Sequence, residues 1–137
     1  MMPEALLKFG LDAALRDFCS EINFAGSIKI TYQSFGLKDN NLEQSKSIAV
    51  YRIVQELINN ALKHSSASEM LVQLSLDSPM MSITVEDNGK GFDIQQLEKA
   101  NGIGWRNIKN RVDFIKGTLD IHSAENKGTS VLIEFQV

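Results

Sequence analysis

A carboxylate followed by two glycines occupies the segment Asp87–Gly91, which reads DNGKG. Three apolar residues alternate with polar ones just before it, which predicts a strand: Met81, Ile83 and Val85. Continuing the alternation places Asp87 on the same inward face. A buried carboxylate without a partner is costly, so we expect Asp87 to accept a hydrogen bond, for instance from the exocyclic amine of a flat base that the glycines let approach. The same residues are also typical of an ordinary turn.

A second set of polar residues follows one stripe of a long predicted helix. Glu56 and Asn60 are four residues apart and Lys63 lies three further on, so all three point the same way. An asparagine oxygen can ligate Mg²⁺, and a lysine can neutralise phosphate charge. A positioned carboxylate can hold a metal-bound water or accept a proton in phosphoryl transfer. A solvated outer helix face is the alternative interpretation.

Thr129 opens a predicted strand near the C-terminus. Val131, Ile133 and Phe135 alternate along that strand, and Thr129 falls on their inward side. Its hydroxyl could share a water or a base edge with Asp87. A β-branched residue at the start of a strand also fits without any ligand.

Glycines also frame a short polar segment, residues 92–101. Gly102-Ile103-Gly104 follows it and precedes a predicted helix, whose first backbone amides could bind phosphate. A loop-to-helix junction explains the same glycines. The segment itself, Phe92–Asn101, is a candidate lid over bound phosphates.

Composition excludes several classes of protein. The chain has 137 residues, a net charge of −3 and one cysteine, Cys19. An internal disulfide and a zinc site are therefore not expected. The negative net charge argues against a clustered basic surface for nucleic acid. No apolar run has the length of a membrane helix or the pattern of a secretory signal peptide. We expect one soluble cytoplasmic domain without membrane contact.

Periodicity predicts about three helices and five strands. The longest helix runs over Leu42–His64, and a hairpin of Leu71–Leu76 and Met80–Asp87 follows it. The last two strands are Thr118–Ser123 and Thr129–Val137. An amphipathic helix and a first strand precede the long helix, and a third helix carries the stripe Trp105, Ile108, Val112 and Ile115. Hairpins combined with long connections indicate an α+β fold, a two-layer α/β sandwich with a mixed sheet.

The order of the chemical features is more specific than any one of them. Glu-x-x-x-Asn-x-x-Lys-His, Asp-x-Gly-x-Gly, Gly-x-Gly and Gly-Thr follow one another over roughly residues 42–137. This series resembles the N box and glycine boxes of the Bergerat fold, which gyrase, MutL and histidine kinases (the GHKL superfamily) share. RIVQELINNALKHSSAS and GIGWRNIKNRV resemble the sensor histidine kinases whose partners are NarL/LuxR-type response regulators.

The resemblance implies that the chain binds ATP and Mg²⁺. Asn60 would ligate the metal, Lys63 would face the phosphates, and Ile103 and Gly104 would support the phosphate side. Glu56 joins Asn60 and Lys63 as a candidate catalytic residue, although in histidine kinases the proton acceptor can instead sit beside the phosphorylated histidine. Its role as a base stays open.

The resemblance also implies an adenine site. Asp87 would bind the adenine amine, with Thr129 assisting through a water, and Gly89 and Gly91 would line the adenine side. Trp105 departs from the family, which usually has leucine there; it could pack on the lid or contact a partner domain.

By the same resemblance, residues 1–24 are the end of the linker that follows the dimerisation helices, and residues 25–137 are the catalytic domain. Neither His64, at the end of the N box, nor His122, on an outward strand position, looks like the phosphoacceptor. The implied function is transfer of the γ-phosphoryl group of ATP to a histidine upstream in the parent protein.

The implied partners are the dimerisation and phosphoacceptor domain of the parent kinase and a downstream response regulator. The parent could be an inner-membrane sensor with this domain in the cytoplasm. Two other functions fit the same boxes: a nucleotide-sensing module that transfers nothing, and a serine kinase of the anti-sigma type.

Overall fold

One mixed sheet organises the molecule. The structure, a computed structural model, describes residues 4–37, 42–91 and 103–137, with side chains from residue 105 onwards in the last range. Its strands are β1 (Lys29–Phe35), β2 (Glu69–Asp77), β3 (Met80–Asp87), β4 (Thr118–Ser123) and β5 (Thr129–Gln136). They lie in the order β1-β2-β3-β5-β4, and only β1 and β2 pair in parallel among these strands. The predicted mixed sheet is confirmed.

Helices cover one face of this sheet. They are α1 (Glu4–Ala25), α2 (Gln44–His64) and α3 (Ile103–Phe114). The inward residues of the central strands are almost completely buried beneath them: Met81, Ile83, Val85, Val131, Ile133 and Phe135. The residues that alternate with them along β3 and β5 remain partly exposed to solvent. The alternation of apolar and polar residues thus produces one buried face, which confirms the predicted two-layer sandwich.

Helix α2 buries one apolar side. Its buried residues recur at helical spacing: Ala49, Val50, Tyr51, Ile53, Val54, Leu57, Ile58 and Ala61. The helix begins at Gln44, two residues later than predicted, and ends at His64. Its polar stripe is not a fully solvated face, because Glu56, Asn59 and Asn60 are half-buried; helix α3 packs beside α2. This placement brings part of the stripe into the interior.

Helix α1 packs against β1 and α2 and adds its own apolar side to the same core. Gly10, with a φ of 89°, interrupts its helical geometry in a conformation that favours glycine. The Tyr32 hydroxyl donates a hydrogen bond to Asp12 at 2.8 Å. The Asn23 carboxamide pairs with both backbone groups of Ile30, at 2.6 and 2.8 Å. These bonds attach α1 to the edge strand; the domain boundary at residue 24 stays a prediction.

We expect the free energy of unfolding to fall as the pH rises above about 9, which is the ordinary pKa of a cysteine thiol. Burial raises the pKa of Cys19 to about 11. Burial, followed by the hydrogen bond to Asp12, also raises the pKa of Tyr32. The unfolded chain therefore loses these protons at a lower pH than the folded chain, so alkali favours unfolding. Denaturant titrations across this pH range should show a shallower decline for Tyr32→Phe than for wild type; equal declines would contradict this.

Candidate functional site

A cavity of about 290 Å³ lies between the C-terminal part of α2, the start of α3, the end of β3 and the start of β5. Much of its wall is apolar, formed by Leu57, Met70, Val85, Trp105 and Val131. Its polar lining includes Asn60, Lys63, Ser65, Asp87, Lys90 and Thr129. Apolar walls with a few converging polar groups are typical of small-molecule sites, and the volume is near the lower end for such sites.

Asp87 is the last residue of β3 and is half-buried at this cavity. One carboxylate oxygen accepts a hydrogen bond from the backbone amide of Gly89 at 2.8 Å, and the backbone amide of Thr129 donates another. Burial raises the pKa of Asp87, and these two hydrogen bonds act in the opposite direction. Backbone amides thus supply part of the predicted pairing. Within the described ranges no Lys or Arg forms an ion pair with the carboxylate.

Asn60 and Lys63 reach the cavity from α2. The Nδ2 atom of Asn60 is buried and has no hydrogen-bond partner among the described residues. No described residue therefore holds the nitrogen end of the carboxamide, so no hydrogen bond of that atom fixes the amide orientation. Lys63 is exposed at the last turn of the helix. Glu56 lies one turn before Asn60 and is half-buried, but it is not part of the cavity wall.

These residues fit a magnesium ion held together with a phosphate ligand. Mg²⁺ commonly takes one or two protein oxygens and completes its shell with phosphates and water. The described part of the chain has no cluster of three or more His, Cys, Asp or Glu that could hold a metal by itself. A single Asn60 oxygen agrees with a Mg²⁺ ion that completes its shell with phosphates and water, and not with a metal site built from protein ligands alone.

Thr129 lies opposite Asp87 in the register of β3 and β5 and lines the cavity. Its hydroxyl is 2.8 Å from the hydroxyl of Ser123 on β4. The side chain therefore already has a protein partner. A hydroxyl can both donate and accept, so one bond to Ser123 leaves capacity for a water or ligand.

The two glycines after Asp87 serve close backbone packing. A Cβ at Gly89 would collide with the carbonyl oxygen of Ser65, and a Cβ at Gly91 would collide with that of Ala124. Gly91 also has a φ of 65° and lines the cavity, whereas Gly89 does not. The predicted contact of both glycines with a base stays a prediction; Gly89 is needed where the loop crosses the end of α2.

The N-terminus of α3 borders the cavity. Ile103 and Gly104 are its first two residues, and only their backbone belongs to the described part; Gly102 and the candidate lid Phe92–Asn101 lie outside it. Trp105 is half-buried, packs against the core and lines the cavity. The sequence predicted that Trp105 contacts either the lid or a partner domain, and this placement tests neither alternative.

Sequence reasoning missed two residues that hold the loop, Ser65 and Asn88. The Asn88 side-chain oxygen accepts hydrogen bonds from the backbone amides of Ser68 and Glu69, both at 3.0 Å. Its amide nitrogen donates to the Ser68 hydroxyl at 2.9 Å. Asparagine in a turn commonly bonds to backbone, which was the available signal. Its partners 19 and 20 residues earlier could not be read from the spacing.

A sequence model of the family described as "Histidine kinase-, DNA gyrase B-, and HSP90-like ATPase" matches residues 45–137. The chain belongs to this ATPase family. The match starts inside α2 and ends with the last residue, so it contains Asn60, Asp87 and Thr129. The resemblance to the GHKL superfamily drawn from the ordered boxes is confirmed.

Two curated relatives of this ATPase domain carry the same description, "Signal transduction histidine-protein kinase/phosphatase DegS". The one from Bacillus subtilis (strain 168) is 35% identical over 136 residues, which cover 96% of this chain and 35% of the relative. The one from Brevibacillus brevis is 32% identical over 134 residues, covering 97% and 34%. The chain thus spans about a third of the length of these relatives. Similarity to DegS kinases is consistent with the predicted NarL/LuxR-partner subgroup.

A solved structure shows the same fold. The histidine kinase domain of the blue-light activated histidine kinase from Erythrobacter litoralis EL346 superposes with a TM-score of 0.73 at 25% identity, covering 91% of this chain and 60% of that one. The open sheet with helices on one face is therefore the Bergerat fold of histidine kinase domains. In the part of this chain that the structure describes, none of the helices is long and apolar enough to cross a membrane.

Proposed function

We propose that this chain is the catalytic domain of a sensor histidine kinase, which binds Mg-ATP and donates the γ-phosphoryl group to a histidine on a dimerisation domain outside this sequence. The observation that carries the proposal is the convergence of Asp87, Asn60 and Lys63 on one largely apolar cavity. Family membership supports nucleotide binding. The DegS relatives support the kinase assignment.

Asp87 selects the base. Its ionised carboxylate accepts a hydrogen bond from the exocyclic amine of adenine, while Gly89 and Thr129 hold it from the backbone side. Partial burial makes such a charge-assisted bond stronger than it is in water. The apolar residues Met70, Val85 and Val131 on the cavity wall suit the faces of a flat purine. Thr129 assists through a water.

Asn60 and Lys63 hold the phosphate end. An Asn60 oxygen would ligate Mg²⁺, and the exposed ammonium of Lys63, which also lines the cavity, would neutralise phosphate charge. When bound, the metal supplies charge stabilisation for phosphoryl transfer. Glu56 lies one helical turn before Asn60 and outside the cavity wall, so it would act on a water bound near Asn60 rather than on the nucleotide directly. Backbone amides at Ile103 and Gly104 support the phosphates from the start of α3.

The phosphoacceptor histidine belongs to another segment of the parent protein. His64 is exposed at the end of α2 and lines the nucleotide cavity itself. His122 is exposed on β4, with its Nε2 atom 3.5 Å from Asp120. In the proposed complex His64 would lie beside the bound nucleotide, and His122 does not line the cavity. The proposed partners are therefore the dimerisation domain and, after it, a response regulator.

Incubation with a separately purified acceptor domain of the parent protein tests this function. With ATP labelled on its γ-phosphate and Mg²⁺ present, we expect an acid-labile label on the acceptor and none on this chain incubated alone. Acceptor protein whose histidine is replaced by glutamine is the control and should stay unlabelled. ATP binding without any labelling would identify a sensing module, and an acid-stable label would identify a serine kinase; either would contradict the proposal.

A further inference from the structure

Ser65 directly follows α2 and is only 8% exposed. Among the residues the structure describes, it is the only serine, threonine, amide or charged residue that is buried, and it lines the cavity without belonging to the proposed ligand contacts. A buried hydroxyl at a functional cavity needs partners, and its bonds show what it holds.

The Ser65 side chain closes the end of the helix. Its hydroxyl donates a hydrogen bond to the carbonyl of Ala61 at 2.6 Å and accepts one from the backbone amide of Ala67 at 3.1 Å. The Ser65 backbone amide also donates to the Ala61 carbonyl at 3.1 Å. These three bonds set the direction in which the chain leaves α2.

The Ser65 backbone meets the loop that carries Asp87. Its carbonyl accepts a hydrogen bond from the Lys90 amide at 2.7 Å. Gly89 packs so tightly against Ser65 that a Cβ there would collide with it. The Gly89 amide in turn donates to the Asp87 carboxylate. A continuous path therefore runs from the helix that carries Asn60, through Ser65 and Gly89, to the carboxylate.

We propose that Ser65 is a positioning residue: it fixes the distance between the α2 wall and the Asp87 carboxylate, so that the site distinguishes purines with an exocyclic amine from purines without one. The inference rests on the proposed function. Without the hydroxyl, the Ala67 amide loses its partner and the carbonyl that anchors Lys90 is free to shift. A shifted carboxylate weakens only those contacts that need its exact placement, which is the bond to the amine.

Calorimetry on Ser65→Ala with two nucleotides tests this. ATP is compared with purine riboside triphosphate, which lacks the amine, both with Mg²⁺. We expect the affinity for ATP to fall by about 10-fold, because a displaced Asp87 carboxylate would lose much of its charge-assisted hydrogen bond to the amine, and the affinity for the amine-free nucleotide to change by less than about 2-fold. Fluorescence of Trp105, the only tryptophan, gives a second reading of occupancy.

Ser66→Ala is the matched control, because Ser66 is the exposed neighbour and undergoes the same chemical change at a φ of 55°. It should leave the preference for ATP intact. Ser65→Cys keeps the size of the side chain with a weaker donor, and it carries the test if Ser65→Ala does not fold; we expect an intermediate preference.

Equal losses for both nucleotides in the Ser65 variants would overturn the positioning role and leave the proposed function standing. Equal affinity of the wild-type domain for the two nucleotides would instead remove the contact between Asp87 and the amine, on which both proposals depend.

Discussion

Asp87→Asn should weaken ATP binding by about 1.5–3 kcal/mol, roughly 10- to 150-fold in affinity, the range for a hydrogen bond to a charged group. The substitution keeps the shape of the side chain. Its single oxygen cannot accept every hydrogen bond that the two carboxylate oxygens accept, so its new NH₂ group opposes another donor, either the adenine amine or a backbone amide of Gly89 or Thr129. Calorimetry with ATP and Mg²⁺ measures the effect. Unchanged affinity would remove Asp87 from the site.

The pH dependence of binding gives an independent reading of the same residue. In the proposed site the ionised carboxylate is the acceptor, so we expect affinity to fall as the pH drops through the pKa of Asp87. Because burial raises this pKa, the fall begins at a higher pH than for an ordinary aspartate with a pKa of about 4. Protonation of the triphosphate affects wild type and variant alike, so the ratio of their affinities isolates Asp87. A ratio that does not change with pH would contradict the assignment.

Asp120→Asn is the matched control for both measurements. Asp120 is exposed on β4, and its carboxylate is paired with His122 away from the cavity. It undergoes the same loss of charge in the same sheet. We expect its ATP affinity and pH profile to match wild type, which separates a local contact from the change in net charge.

Asn60→Ala should lower the rate of phosphoryl transfer to the acceptor domain by at least about 100-fold, because loss of one preorganised group at developing charge has effects of this order. ATP affinity without metal should change little, since the proposed role of the carboxamide is to ligate Mg²⁺. The initial rate of acceptor labelling and calorimetry with and without Mg²⁺ measure the two quantities. Retained transfer, or an equal loss of metal-free binding, would contradict the metal-ligand role.

The same variant should keep or raise the free energy of unfolding. The buried Nδ2 atom of Asn60 has no hydrogen-bond partner among the described residues, and such a group costs stability in the absence of ligand. Loss of activity with retained stability is the signature of a residue kept for function. Asn59→Ala is the control: Asn59 is also half-buried on α2 but does not line the cavity, so transfer should persist.

Local patterns in the sequence were enough to predict the elements and the direction of key side chains. Alternation along β3 and β5 placed Met81, Ile83 and Val131 inward, and the structure buries them. Continuing the parity predicted that Asp87 and Thr129 face the same side, and both line the cavity. These features depend on the backbone geometry of one strand at a time, which a short window of sequence contains.

Only the tertiary structure decided which of the polar residues meet. Strand order and the parallel pairing of β1 with β2 depend on contacts between distant segments, and no local pattern encodes them. The helical stripe treats Glu56 and Asn60 alike, yet the position of α2 over the sheet admits Asn60 and leaves Glu56 outside the cavity wall. No pattern in the sequence singles out Ser65, because its partners at Ala67 and Lys90 are backbone atoms, which every residue carries.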